Sequence, residues 1–157
     1  MEERIDGIKL VEIGPDGSPR QDLGMLSQPA AAACRQTAAH YQRTGFSPPW
    51  ISFLAQAEGA IVGVCAFTAA PNHGRVEIAY HTFPRFEGRG VANAMVRALI
   101  ARAQRLDPKI ELFAQTLAVE NASNAVLRKS GFQFARTLAH PEEGQIWEWR
   151  RKPLTPQ

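Results

Sequence analysis

The sequence predicts a mixed α/β fold, one sheet of about seven strands with helices packed against it. Three observations predict it. Apolar residues recur at helical spacing over one long segment, Val91 to Leu106, and alternate or cluster in short strand-length runs elsewhere. Turn signals rich in Gly, Pro, Asn and Asp separate these runs. The resulting order is β, α, β-β-β, α, β, α, β-β, with no repeat or linker to divide the 157 residues. Residues 1–157 are therefore expected to form one domain.

Ile8 to Ile13 reads as the first strand, closed by Gly14-Pro15-Asp16-Gly17. The alanine run after Pro29, continuing to about Arg43, has high helix propensity; Pro29 suits its first turn and Gly45 stops it. Ile51–Ala57 and Ala60–Ala69 are strands joined by Glu58-Gly59, and in the second Ile61-Val62 and Val64–Phe67 are expected to be buried on both faces. After Pro71-Asn72-His73-Gly74, Arg75–Phe83 completes an antiparallel meander. Val91, Met95, Leu99 and Ala103, widened by Val96, Ile100 and Leu106, form the apolar stripe of a helix that Asp107-Pro108 ends. Ile110–Leu117 is a strand and Asn121–Lys129 a short helix stopped near Gly131. Phe132–Leu138 and Gln145–Arg151 then close around Pro141–Gly144. Trp147 and Trp149 alternate onto one face of that last strand, as packing or as a homodimer surface.

Composition excludes several classes of function. With 45% hydrophobic and 21% charged residues the chain has an ordinary globular composition. A chain of this length buries roughly 70% of its unfolded surface, so its core needs neither disulfide nor metal. Lys and Arg total 18 against 15 Asp and Glu, net +3 and dispersed. That is no basic stripe for nucleic acid, but it favours a modestly anionic small ligand. Cys34 and Cys65 lack metal-ligand spacing, and no metal site is expected. No run approaches the ~20 apolar residues of a membrane span. Met1-Glu2-Glu3-Arg4 resembles no targeting signal, so a soluble cytoplasmic protein with no membrane partner is expected.

The most informative segment is Phe83-Pro84-Arg85-Phe86-Glu87-Gly88-Arg89-Gly90-Val91-Ala92-Asn93. It joins a strand to an amphipathic helix through two glycines. Such a turn aims unpaired backbone N–H groups and the positive end of the helix dipole at one point. It suits a phosphate or pyrophosphate, or else is a plain tight turn that lets strand and helix pack. No Gly-Lys-Ser/Thr follows, which removes a P-loop. Asn93 stands where a dinucleotide fingerprint has its third glycine, and the chain is short for two nucleotide-binding halves.

The segment resembles the Gln/Arg-x-x-Gly-x-Gly/Ala motif of the GNAT superfamily of acyl-CoA-dependent N-acyltransferases. The match is read either as Arg85 to Gly90 or, in the register that starts the helix where its apolar period starts, as Glu87-Gly88-Arg89-Gly90-Val91-Ala92. Glu77-Ile78-Ala79-Tyr80 upstream and Glu120-Asn121-Ala122-Ser123-Asn124-Ala125-Val126-Leu127-Arg128-Lys129-Ser130-Gly131-Phe132 downstream resemble the ribosomal-protein-alanine N-acetyltransferase branch. The resemblance weakens before about Trp50. It implies a GNAT fold, with a mostly antiparallel central sheet of about seven strands flanked by helices. It also implies transfer of an acetyl group from acetyl-CoA to a primary amine in a ternary complex. A non-catalytic acyl-CoA-binding sensor or subunit is the alternative.

The resemblance further implies site residues. Backbone groups around Thr82 and Phe83 would meet the pantetheine arm, and those of Gly88, Arg89, Gly90, Val91, Ala92 and Asn93 the pyrophosphate. The Arg89 side chain either adds charge there or is solvated. Asn121 would cap its helix and touch the cofactor, and Asn124 would reach the pantetheine amides. Leu127 stands where many relatives have a Tyr acid, and Ser123 matches a serine near the sulfur, whose hydroxyl would protonate or hydrogen-bond the departing thiolate, or else only helps begin the helix. A lysine-type amine is mostly protonated at neutral pH, so a base helps. Glu77, a carboxylate interrupting an apolar strand, is the candidate base, or else an ion-pair partner of Arg75 or of a neighbouring strand. His81 lies on the same strand face about 13 Å along and is a weaker candidate. His40, His73 and His140 carry no functional signal.

Overall fold

The structure is a computed structural model that describes residue 5 and residues 7–153; Met1–Arg4, read above for a targeting signal, lie outside them. In chain order the elements are β1 (Lys9–Glu12), α1 (Gln28–Thr44), β2 (Ser52–Ala57), β3 (Ala60–Phe67), β4 (Arg75–Thr82), a 3-10 turn (Pro84–Phe86), α2 (Val91–Leu106), β5 (Glu111–Leu117), α3 (Ala122–Lys129), β6 (Gln133–His140) and β7 (Gly144–Arg151). The strands form one sheet in the order β1-β2-β3-β4-β5-β7-β6. Every neighbouring pair is antiparallel except β4 and β5. Those two are parallel because α2 crosses over between them.

That one parallel pair breaks early. β4 and β5 are in register only at Arg75↔Glu111, Val76↔Leu112 and Glu77↔Phe113. Beyond Glu77, β4 stays paired with β3 as far as Thr82, and β5 stays paired with β7 as far as Leu117. Each strand follows its own half of the sheet, and a V opens between them. Glu77 sits at its apex.

α2 covers the β3–β4 half on one face. Val91, Met95, Val96, Leu99 and Ala103 are buried there, as their period predicts. Leu106, expected in that stripe, is 42% exposed, because as the last residue of the helix it projects beyond the packed turns. α1 starts from Ser27, whose hydroxyl accepts the Ala30 N–H at 3.3 Å. It is pinned by Tyr41, whose hydroxyl donates to the Ile13 carbonyl at 2.8 Å and accepts the Ser52 N–H at 3.0 Å. β3 was expected to be buried on both faces. Instead Val62, Cys65 and Phe67 are buried while Val64 and Ala66 stay partly open, because they line a cavity beside α1.

Candidate active site

Backbone direction decides what the V can hold. Glu77 accepts from the Thr68 N–H, and the Phe83 N–H donates to Val62, both at 3.0 Å, so the odd-numbered residues of β4 turn their polar groups toward β3. The Gly74 carbonyl accepts from Glu111 at 3.0 Å, so the even-numbered residues turn toward β5. By this alternation the N–H and C=O groups of Tyr80 and Thr82 point into the V, where β5 has departed. They form a short free strand edge, able to take the amides of an extended ligand. The expectation for Phe83 is corrected. Its amide is spent on Val62 and its side chain is 3% exposed in the core.

A cleft of about 540 Å³ runs from this edge over the Glu87–Gly90 turn to the start of α2 and on to Ala122, Ser123 and Val126 of α3. Gly88 and Gly90 have φ of +78° and +83°, a left-handed conformation that glycine takes without strain. A Cβ on Gly88 would meet nothing within 4 Å, so the turn lies open to an approaching group. α2 begins at Val91, the start required by the Glu87–Ala92 register, with no side-chain cap. The first helical bond runs from the Ala94 N–H to Gly90, at 3.1 Å. The N–H groups of Val91, Ala92 and Asn93 are left to an outside acceptor, an anion above all. Thr82, Gly88, Gly90, Val91, Ala92, Asn93 and Ser123 are thus brought together.

Beyond Asn93 the groove continues into a second cavity of about 550 Å³ lined by Arg97, Lys129 and Arg151. Arg97 follows Asn93 at the i+4 spacing of one helix face, a signal present in the sequence but unread. The Arg89 side chain does not line the cleft. It is 18% exposed and lies 3.5 Å from Glu58 on the β2–β3 turn. Asn121 and Asn124 do not line it either. Asn121 accepts the Asn124 N–H as the α3 cap, at 3.2 Å. Asn124 is fully buried: its Oδ1 accepts the Thr116 hydroxyl at 2.6 Å and its Nδ2 donates to the Val119 carbonyl.

Sequence reasoning also missed Tyr80 as a site residue. Its ring rises from β4 on the α3 side, and its hydroxyl donates to the Ser123 carbonyl at 3.2 Å. Burial, the larger influence, pushes the phenol up to about 12 despite that bond. Leu127, at the usual Tyr position, is fully buried.

The opposite face of the sheet carries Glu77. Ala79 and His81 share its face, as do their partners Ala66 and Val64. A cavity of about 320 Å³ lies there against α1, and one of about 480 Å³ lies over β5, β6 and β7; Thr68 lines both. Glu77 borders the larger one and accepts the Thr68 hydroxyl at 3.0 Å. The Thr68 carbonyl in turn accepts His40 Nε2 at 2.6 Å. Burial raises the Glu77 carboxyl above the ordinary carboxylate range, opposed by the Thr68 bond and reinforced by the charge of Glu148. The alternative of a Glu77–Arg75 ion pair does not occur, since Arg75 pairs with Glu111. His40 thus belongs to the site, which no sequence spacing could reveal. His140 instead holds its own turn, accepting the N–H groups of Glu142 and Glu143 at 3.1 Å. Among the described residues no cluster of potential ligands could hold a metal ion, and no helix is long and apolar enough to cross a membrane.

Tyr80 and His81 line both the cleft over the glycine turn and the smaller cavity behind it. A long ligand on one face can therefore meet a second molecule on the other, through the V.

Comparison with solved structures finds the fold repeated. RimL, a ribosomal L7/L12 α-N-protein acetyltransferase in complex with coenzyme A, superposes with a TM-score of 0.63 at 21% identity, over 79% of this chain and 71% of that one. The Salmonella typhimurium acetyltransferase that modifies the N-terminal serine of L7/L12 gives 0.66 at 16% identity, over 93% and 95%. The microcin C7 self-immunity acetyltransferase MccE, in complex with acetyl-CoA and AMP, gives 0.67 at 15% identity, over 94% and 93%. These likenesses establish the fold. A search of curated protein sequences finds no match. The family profile described as "Acetyltransferase (GNAT) domain" matches residues 19–133, from the loop before α1 to the start of β6. With the parted β4 and β5 and the glycine turn at the head of α2, this match places the chain in the GNAT acetyltransferase family.

Proposed function

We propose that this chain is an N-acetyltransferase that moves an acetyl group from acetyl-CoA to a primary amine by direct transfer in a ternary complex. One observation carries the reading. The free edge of Tyr80 and Thr82 ends in the Gly88–Gly90 turn on one face of the sheet, while Glu77 and two cavities occupy the other. Donor and acceptor therefore approach from opposite sides and meet at the V.

Acetyl-CoA supplies an activated thioester. The chain's own groups do the rest. The Val91, Ala92 and Asn93 amides and the α2 dipole hold the pyrophosphate, and Arg97 and Lys129 suit the phosphorylated nucleotide end. The backbone of Tyr80 and Thr82 aligns the pantetheine amides. Glu77, directly or through a water, takes the proton that makes the amine nucleophilic. Tyr80 and Ser123 line the same cleft and would face the sulfur of a bound thioester. A phenol near 12 would give its proton to a thiolate of pKa about 8.5 only at a cost of roughly 5 kcal/mol. Tyr80 is therefore not the acid; its O–H, given to the Ser123 carbonyl in the free protein, would turn to the sulfur once the thioester is bound, and the proton itself comes from the amine.

Thermal unfolding with and without acetyl-CoA, with NAD as control, tests the donor. At 100 times its dissociation constant a ligand of the folded state adds about 2.7 kcal/mol. At about 2–4 °C per kcal/mol, Tm rises by roughly 6–12 °C. Release of free thiol on adding amines tests the transfer. No shift with acetyl-CoA removes the reading.

A further inference from the structure

We infer that the acceptor of this enzyme is a small zwitterion, an amine that carries a carboxylate close to it, as in a free amino acid. The inference rests on the acetyltransferase reading and concerns the cavity of about 480 Å³ next to Glu77. That volume fits a small molecule.

The two ends of this cavity differ in charge. Glu77 forms the end at β4. Arg136, Glu148 and Arg150 form the end at β6 and β7. Glu148 is only 5% exposed and is shared by two guanidiniums: Arg136 through Nε at 3.2 Å, and Arg150 through Nε and Nη2 at 2.8 Å. Burial alone would raise its carboxyl, but the two arginines together hold it below the usual value, so it stays charged. One carboxylate between two cations leaves a positive charge over. Each guanidinium has five N–H donors, more than the shared carboxylate uses. The buried anchor holds both planar forks in place, and a fixed fork is the geometry that takes a carboxylate. Arg75, at the rim, is already matched by Glu111.

Spacing completes the argument. Glu77, Phe113 and Arg150 are in lateral register across β4, β5 and β7. Adjacent strands are about 4.8 Å apart, which sets Glu77 and Arg150 roughly 10 Å apart at Cα. Both side chains border the one cavity, so a molecule a few bonds long reaches from one to the other. An ammonium drawn to Glu77 therefore leaves its own carboxylate beside the arginine pair. An amine without an anion uses only half of the cavity.

The test is steady-state thiol release with amino acids, each paired with its decarboxylated amine. Charge-assisted hydrogen bonds of this kind lead us to expect at least a tenfold preference in kcat/KM for the amino acid. In Arg136→Gln, at a half-exposed position with Arg150 still paired to Glu148 and with folding checked by a thermal melt, that preference should collapse toward one, mainly through the KM of the amino acid. Equal kcat/KM for the two members of each pair overturns the inference. So does an unchanged preference in Arg136→Gln, or a peptide N-terminus that outcompetes every amino acid. The acetyltransferase reading fails separately, if acetyl-CoA gives no thermal shift or no amine of either kind releases thiol.

Discussion

The Thr68 hydroxyl donates to the Glu77 carboxylate at 3.0 Å, at the level where β4 and β5 part. This bond favours the charged form of a group that burial otherwise pushes toward neutrality. A base acts only when unprotonated, so the acid limb of kcat/KM should lie above the ordinary carboxylate range. Thr68→Val removes the opposing influence and should move that limb to still higher pH. Glu77→Gln should lower kcat at pH 7 by roughly 10²–10⁴-fold, the usual worth of a general base, with acetyl-CoA affinity unchanged. Its stability should not fall. A raised folded pKa stabilises below the unfolded pKa and is lost as pH rises through the folded one, so above that pH the charged carboxylate costs the fold stability that the neutral amide does not. A pH–rate profile together with a thermal melt checks all of this.

Asn124 is a lock between α3 and the end of β5. Trp149 Nε1 donates to the Thr116 hydroxyl at 3.0 Å, that hydroxyl donates to Asn124 Oδ1, and Asn124 Nδ2 reaches the Val119 carbonyl. Asn124→Leu leaves the Thr116 hydroxyl and the Val119 carbonyl without their partner. It should cost about 2–3 kcal/mol, or very roughly 5–10 °C in Tm. Wild-type stability in the variant would return Asn124 to the role of a ligand contact.

The elements were legible because each rests on a local rule. Period in α2, Pro and Gly at the ends of α1, and turn chemistry between strands placed all ten major elements within a few residues. The glycine turn was legible for the same reason, since its chemistry is local. What failed was side-chain company. Arg89 follows one motif glycine directly, yet it turns to Glu58, a residue 31 positions away. Phe83 ends the right strand, but its parity faces β3. His40 and Arg136 matter only because the sheet order brings α1 and β6 to the Glu77 face, and no spacing in the chain encodes that.

Tyr80 spans the V, from β4 to the Ser123 carbonyl. Removing its hydroxyl with Tyr80→Phe keeps the ring and its packing. As a hydrogen-bond donor to sulfur once the thioester is bound, that hydroxyl matters most where negative charge develops. We expect kcat to fall by about 10–100-fold, the loss of one good hydrogen bond to a charged group, with acetyl-CoA affinity nearly unchanged. Equal losses in cofactor affinity and in rate would instead mark Tyr80 as a cofactor contact, and a melt lowered by several degrees would mark it as a strut for α3.

Gly90 combines two demands. At φ +83° and ψ +12° it is left-handed, and it stands as the N-cap of α2 where the free amides converge. Any side chain there pays a backbone cost of about 1–2 kcal/mol. An aspartate also puts a negative charge where the helix dipole and the Val91–Asn93 amides are aimed at an anion. Its carboxylate can cap the helix, which offsets part of the strain, so the folded protein should survive with a Tm lowered by a few degrees. The pyrophosphate would then face a like charge in the site meant for it. Gly90→Asp should therefore abolish the acetyl-CoA-induced rise in Tm, whereas Gly90→Ala, strained but uncharged, should retain part of it. A full acetyl-CoA shift in a folded Gly90→Asp protein would move the phosphate site away from the head of α2.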